Sequence, residues 1–216
     1  MNEITDNIDV FPTIEIVETG SFRPTFSFEE YLEMEETSIE KHEFHNGQLH
    51  TMPGGTDAHN EICGNAITAV NNSLFIKEDD TTHVYTSDMK VRITAKNKGV
   101  YPDATLVAGE PIFYLGNRLV VMNPILLVEV LSNSTEAYDR GEKFGFYKTL
   151  PTFREYVLVS QDTPKVEVFY LQNPEEGIWE TTTYEGLDAV VDLRSIGCQI
   201  KMKQMYHRVF KADAGK

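Results

Sequence analysis

The sequence predicts an α/β domain, and three observations predict it. The apolar run Ile125-Leu126-Leu127-Val128-Glu129-Val130-Leu131 lies between Pro124 and Ser132-Asn133-Ser134 and reads as a strand buried on both faces. Between Asp57 and Lys77, Ile62, Cys63, Ala66, Ile67, Val70 and Leu74 recur at three- and four-residue steps, the period of an amphipathic helix. Further strands follow at 154–160 (REYVLVS) and, with clear alternation, at 165–171 (KVEVFYL).

The remaining elements follow in chain order. Residues 1–24 carry acids, Pro12 and Pro24 and little periodicity, and read as a loosely docked arm. Ser27 with Glu30 is a capping-box signature that opens a helix over 28–36. Residues 41–52 read as a hairpin turning at Asn46-Gly47, because a type I′ turn needs positive φ at both central residues; Glu43 lies on its first strand. His59 extends the apolar face of the following helix towards its N-terminus. Val91 and Ile93 alternate with Arg92 in a strand, and Asn97-Lys98-Gly99 is a turn. A second core strand is expected over 101–108, with Pro102 at its start and Asp103, Thr105 and Val107 on one face. The linker 109–122 turns at Gly116-Asn117. Ser134 or Thr135 caps a helix over 136–150, whose stripe of Phe146, Tyr147 and Leu150 puts Lys143 on the sheet side, with Arg140 and Glu142 pointing elsewhere. Pro151 ends it, strands are expected at 179–184 and 189–193, and 200–210 reads as a short helix bearing Lys201, Lys203, Arg208 and Lys211.

With 216 residues, one domain with a real core is expected, over 25–198, followed by a basic tail at 199–216. No apolar run is long enough for a bilayer, and no signal segment is visible, so the expectation is a cytoplasmic protein without membrane contact. Two distant cysteines, Cys63 and Cys198, read as reduced thiols. The formal charge of −15 opposes polyanion binding, but residues 1–45 hold 12 acids against two bases, so most of the excess is N-terminal.

Three charges stand where core residues belong: Asp103, Glu129 and Lys143. A carboxylate in an apolar strand is costly without a compensating cation or proton. If the two strands are neighbours, the acids converge at their ends, and a carboxylate pair suits a hard divalent cation. A lysine beside them would partner an attacking water or a developing negative charge. Each residue also has a bland reading: Asp103 as a strand-start acceptor of backbone N–H groups, Glu129 as half of a buried ion pair with Lys143, Glu43 as an exposed hairpin acid, and His59 as a helix-start cap or core histidine. Ser132 and Ser134 have no histidine nearby in sequence and read as strand-end and cap residues rather than nucleophiles.

Tyr101-Pro102-Asp103, Val128-Glu129-Val130-Leu131-Ser132 and Tyr138-Asp139-Arg140-Gly141-Glu142-Lys143-Phe144, in that order, resemble the Uma-two family of restriction-endonuclease-like proteins. The hairpin Lys41-His42-Glu43-Phe44-His45-Asn46-Gly47 and the stretch Ala58-His59-Asn60 fit the same pattern, so the resemblance spans about 25–195. It implies the PD-(D/E)xK nuclease superfamily: a mixed β-sheet flanked by helices, Mg2+ or Mn2+ as cofactor, DNA as partner and a homodimer. Asp103, Glu129, the Val130 carbonyl and Glu43 would then serve as metal ligands, and His59 as a substrate contact. The superfamily expects a lysine two residues after the glutamate, where this chain has Leu131; Lys143 is expected to supply it from the next helix. A non-catalytic binding module on the same fold and a hydrolase of a small phosphoester are the competing expectations.

Overall fold

The computed structural model describes residues 13–15, 23–132 and 134–210. In chain order the elements are β1 (Thr13–Glu15), β2 (Arg23–Thr25), α1 (Phe28–Thr37), β3 (His42–His45), β4 (Gln48–Thr51), α2 (Asp57–Ile76), β5 (Thr82–Thr86), β6 (Lys90–Ile93), β7 (Lys98–Val100), β8 (Ala104–Ala108), β9 (Phe113–Tyr114), β10 (Asn117–Val121) and β11 (Leu126–Leu131). There follow α3 (Glu136–Tyr138), a π-helical turn (Asp139–Lys143), α4 (Phe144–Tyr147), β12 (Glu155–Ser160), β13 (Lys165–Asn173), β14 (Ile178–Glu185), β15 (Val190–Leu193), β16 (Cys198–Lys201) and α5 (Met202–Met205).

Two six-stranded sheets carry the fold, in the orders β14-β13-β12-β11-β8-β5 and β4-β3-β7-β6-β10-β9. Within the first, β11 pairs parallel with β12 and antiparallel with β8, so the sheet is mixed. A parallel pair needs a crossover, and the helical stretch from Glu136 to Tyr147 lies in it. All six residues of β11 are buried, as the continuous apolar run requires. Its alternation splits the core. Val128 and Val130 pack with Ala104 and Leu106 against Ile62, Ala66 and Val70 of α2. Leu127 and Leu131 pack with Val107 against Phe144, Tyr147 and Tyr156, and against Val91, Ile93 and Val100 of the second sheet. Glu129 shares this second face by alternation.

Local chemistry explains the elements that frame the site. Ser27 and Glu30 form the expected reciprocal cap on α1. Asn46 (φ 52°) and Gly47 (φ 86°) make the β3–β4 turn in the left-handed region, as the dipeptide requires. Thr56 caps α2 by accepting from the His59 N–H.

Several expectations need correction. The strand expected to start at Tyr101 begins at Ala104; Tyr101, Pro102 and Asp103 instead form the crossing from β7 in one sheet to β8 in the other. A prolyl residue lacks the N–H that a ladder would use, which suits a crossing. The helix expected over 136–150 ends at Tyr147 and contains the π turn, and neither Ser134 nor Thr135 caps it: at Thr135 there is no side-chain cap bond, and both hydroxyls meet that of Ser132 instead. The segment 109–122 is a hairpin, β9–β10, that turns at Leu115-Gly116 rather than Gly116-Asn117. The helix expected over 200–210 is cut to α5, because Cys198–Lys201 pairs with β15, a non-local partner that outweighs local helical preference. Of the N-terminal arm, 1–12 and 16–22 lie outside the described residues, while β1 and β2 pair antiparallel. The β5 strand had no counterpart in the sequence reading.

Candidate active site

Tyr101–Asp103, β3, β11 and the π turn meet at a cavity of about 560 Å³. Glu43, His59, Asp103, Glu129, Val130 and Lys143, the residues singled out from sequence, all line it. The adjacency of β8 and β11 brings Asp103 beside Glu129, and the Val130 N–H donates to Asp103 Oδ2 at 2.7 Å. Lys143 reaches back from the π turn. Its Nζ lies 2.8 Å from Glu129 Oε1, 3.5 Å from Asp139 Oδ1 and 3.6 Å from Glu43 Oε1. Lys143 therefore points at the carboxylates, and the bland alternative for Glu129, an ion pair with Lys143, is present as well. So is that for Asp103, which accepts a backbone N–H.

A ring of donors fixes these groups. The Tyr147 hydroxyl donates to Glu129 Oε1 at 2.7 Å. The Tyr101 N–H donates to Glu43 Oε1 at 3.3 Å, while His45 Nε2 sits 3.0 Å from Glu43 Oε2. Glu43 is thus a buried acid, not the exposed hairpin acid of the bland reading. His59 Nε2 lies 3.3 Å from Asp103 Oδ2, and its Nδ1 lies 3.5 Å from Cys63 Sγ. The backbone N–H of His59, not its ring, takes part in capping α2.

Electrostatics follow from burial and from the number of acids. Glu129 is 4% exposed and Lys143 5%. Burial pushes Glu129 well above the usual carboxylate range, and Asp139 and Asp103 add to the rise against the pull of Lys143. Burial also raises Asp139. Burial acts on Glu43 in the same sense, but Lys143, His45 and the Tyr101 N–H outweigh it and hold the carboxyl below its ordinary value. Burial acts against the Lys143 charge, yet Glu129, Glu43 and Asp139 outweigh it, so Lys143 stays an ammonium. The hydrogen bond to Asp103 raises His59. Three carboxylates share one ammonium, and Asp103 stands close enough to raise Glu129 and Asp139 further; a hard divalent cation would relieve that repulsion with the oxygen donors it prefers. Oxygen donors of this kind are the type that Mg2+ or Mn2+ would take.

Sequence reading missed Asp139, Cys63 and the ring donors Tyr147 and His45. Asp139 carried a usable signal: it stands four residues before Lys143, on the same helical face. Arg140 does point elsewhere, binding Glu136 and Glu167, whereas Glu142, though exposed, lines the cavity. The cavity rim carries His45, His50 and Tyr138, with His45 4.6 Å from His50 and 6.0 Å from Tyr138 between ring centroids. Lys201, Lys203 and Arg208 are exposed away from this cavity. Both cysteines are free thiols, and among the described residues no helix is long and apolar enough to cross a membrane.

Two proteins of Synechocystis sp., described as uncharacterized proteins sll1609 and slr1290, are 34% and 33% identical to the chain over 164 and 183 residues. Those alignments cover 76% and 85% of this chain and 89% and 92% of the relatives. A crystal structure from Anabaena variabilis, titled a "putative nuclease belonging to DUF820", superposes with a TM-score of 0.67 at 16% identity over 86% of this chain and 99% of that one, which speaks to the fold alone. Residues 28–203 match the Uma2 family model, described as "Putative restriction endonuclease". The chain belongs to the Uma2 family, with a restriction-endonuclease-like mixed α/β fold.

Proposed function

We propose that this protein is a divalent-metal-dependent nuclease that hydrolyses phosphodiester bonds in DNA. The observation that carries the reading is the gathering of Glu43, Glu129 and Asp139 around Lys143, with Asp103 lining the same cavity. Asp103, Glu129 and the Val130 carbonyl would hold Mg2+ or Mn2+, with Glu43 as a further ligand. When bound, such a cation neutralises phosphate charge and polarises the bond to be broken. Lys143, kept charged by its acidic neighbours, orients the attacking water or stabilises the negative charge that develops on the phosphoryl oxygens. Tyr147 holds Glu129 in place, and His45 with the Tyr101 N–H holds Glu43. His59 stands beside Asp103, where a substrate phosphate would approach. The imidazole and phenol rings at the rim offer faces on which a base can stack.

The full chain is expected to cleave duplex DNA in Mg2+ or Mn2+ and to stop when the metal is chelated. Asp103→Ala and Lys143→Ala variants that keep the native circular dichroism should lose cleavage; unchanged activity in either removes that residue from the mechanism. The Glu129–Lys143 ion pair and the formal charge of −15 favour a second reading, a non-catalytic binding module. Calorimetry separates the two: failure to bind Mg2+ and Mn2+ selects the binding module. If the occupant is a small phosphoester rather than DNA, duplex affinity will lack the steep salt dependence that several phosphate contacts impose.

A further inference from the structure

We propose that His59, Cys63 and Asp103 form a second site, for a thiophilic divalent cation of the zinc class, which draws Asp103 away from the hard-cation position and so inhibits it. The inhibitory half rests on the role given to Asp103 under the proposed function; the binding half does not.

His59 and Cys63 stand four residues apart on α2, so both project from one face of the helix. Asp103 faces them from the crossing before β8. His59 Nδ1 lies 3.5 Å from Cys63 Sγ, and its Nε2 lies 3.3 Å from Asp103 Oδ2. One ligand atom from each of the three residues lies within 4.8 Å of the others. Tetrahedral zinc binds sulfur at about 2.3 Å and nitrogen or oxygen at about 2.0–2.1 Å, which sets its ligand atoms on the order of 3.5 Å apart. Small side-chain shifts close the site. Gly55 leaves the ring room to make them, because a Cβ there would come within 2.7 Å of His59 Nδ1.

The donors also differ in kind from those around Lys143. Glu43, Glu129 and Asp139 offer only oxygen, which suits Mg2+. Imidazole and thiolate beside one carboxylate suit Zn2+ or Co2+, and three protein ligands leave a fourth position open towards the cavity. As the sulfur–metal bond forms, the Cys63 S–H bond breaks and its proton goes to solvent. His59 and Asp103 line the cavity, and half-buried Cys63 is in contact with His59. Because Asp103 is common to both sites, occupancy of one opposes occupancy of the other.

Cobalt(II) titration of the reduced full-length chain is the test, since a sulfur-to-cobalt charge-transfer band reports thiolate ligation directly. The expected result is a band that saturates at one cobalt per chain, survives Cys198→Ser, disappears in Cys63→Ser, and is bleached by added zinc. His59→Asn should weaken cobalt binding by roughly a hundredfold, the upper end of what loss of even an outer metal partner costs. Absence of the band in the wild-type chain, or its persistence in Cys63→Ser, overturns the site. Zinc that saturates this site without lowering Mn2+ affinity overturns the inhibitory half. A chain that shows the band yet cleaves no DNA keeps the zinc-class site and sinks the nuclease; a chain that cleaves but shows no band does the reverse.

Discussion

Glu129 and Glu155 sit on adjacent strands, β11 and β12, both buried, and the protein treats them in opposite ways. Glu155 is fully buried and closed in by fixed donors: the N–H groups of Arg194 and Ser195 at 3.0 Å each, and the Ser195 hydroxyl at 2.6 Å. Burial raises its pKa and these donors pull it back. It ties the turn between β15 and β16 to the central sheet. Glu129 has one phenol and one shared ammonium, Asp139 and Asp103 near enough to push its pKa further up, and an open cavity in front of it. A buried carboxylate satisfied by N–H groups is a structural staple. A buried carboxylate crowded by other carboxylates is poised for a cation, because only added positive charge resolves the crowding.

The sharpest way to break this comparison is activity. Asp103→Asn should lower metal-dependent cleavage by about three orders of magnitude, roughly 4 kcal/mol of lost electrostatic stabilisation, measured in single-turnover assays. A loss of tenfold or less would place Asp103 with the staples. Stability draws the contrast from the other side. Glu155→Gln should cost about 2–3 kcal/mol in thermal or denaturant unfolding, by mismatching buried donors, and leave Mn2+ binding untouched. Glu129→Gln should abolish Mn2+ binding at a smaller stability cost, since Lys143 keeps Asp139 and Glu43 as partners. Equal stability losses with equal metal binding would erase the distinction.

A pH series sharpens it further. Glu129 is held above the ordinary carboxylate range, so its proton competes with the cation. Metal affinity should therefore climb as pH rises through that elevated pKa, by up to about tenfold per unit where one proton is released, and calorimetry in buffers of different ionisation enthalpy should count that proton. Affinity that is flat or falls with rising pH would contradict this. The smallest effect belongs to a half-buried surface acid of the staple type. Asp79 accepts from the hydroxyls of Thr82 and Thr81 at 2.8 Å each and from their N–H groups at 3.1 and 2.9 Å, which pulls its pKa down to about 2. The depressed folded value means its stabilisation is present above the unfolded pKa and is lost as pH falls towards the folded one. Asp79→Ala should cost no more than about 1 kcal/mol at neutral pH, given solvent screening, and the difference from wild type should vanish in acid.

Much of the site was legible in the order of residues because its members break local rules. An acid inside β11 and a lysine on the apolar stripe of a helix each contradict the periodicity around them, and contradictions of that kind are visible without coordinates. Glu155 shows where such reading stops. It opens its strand and attracts no notice, yet it is as buried as Glu129, since its partners lie about forty residues downstream in a turn that no local pattern connects to it.

The sequence alone determined the mixed α/β class, the capped α1, the Asn-Gly hairpin, the doubly buried β11 with its face assignments and the inward Lys143, because each is written in short-range periodicity and turn chemistry. Tertiary structure alone decided that Tyr101–Asp103 cross between two sheets, that α5 stops after Met205 and that Cys63 and Asp103 both meet His59. Those outcomes depend on pairing between segments far apart in the chain, where packing and hydrogen-bond registry outweigh local preference.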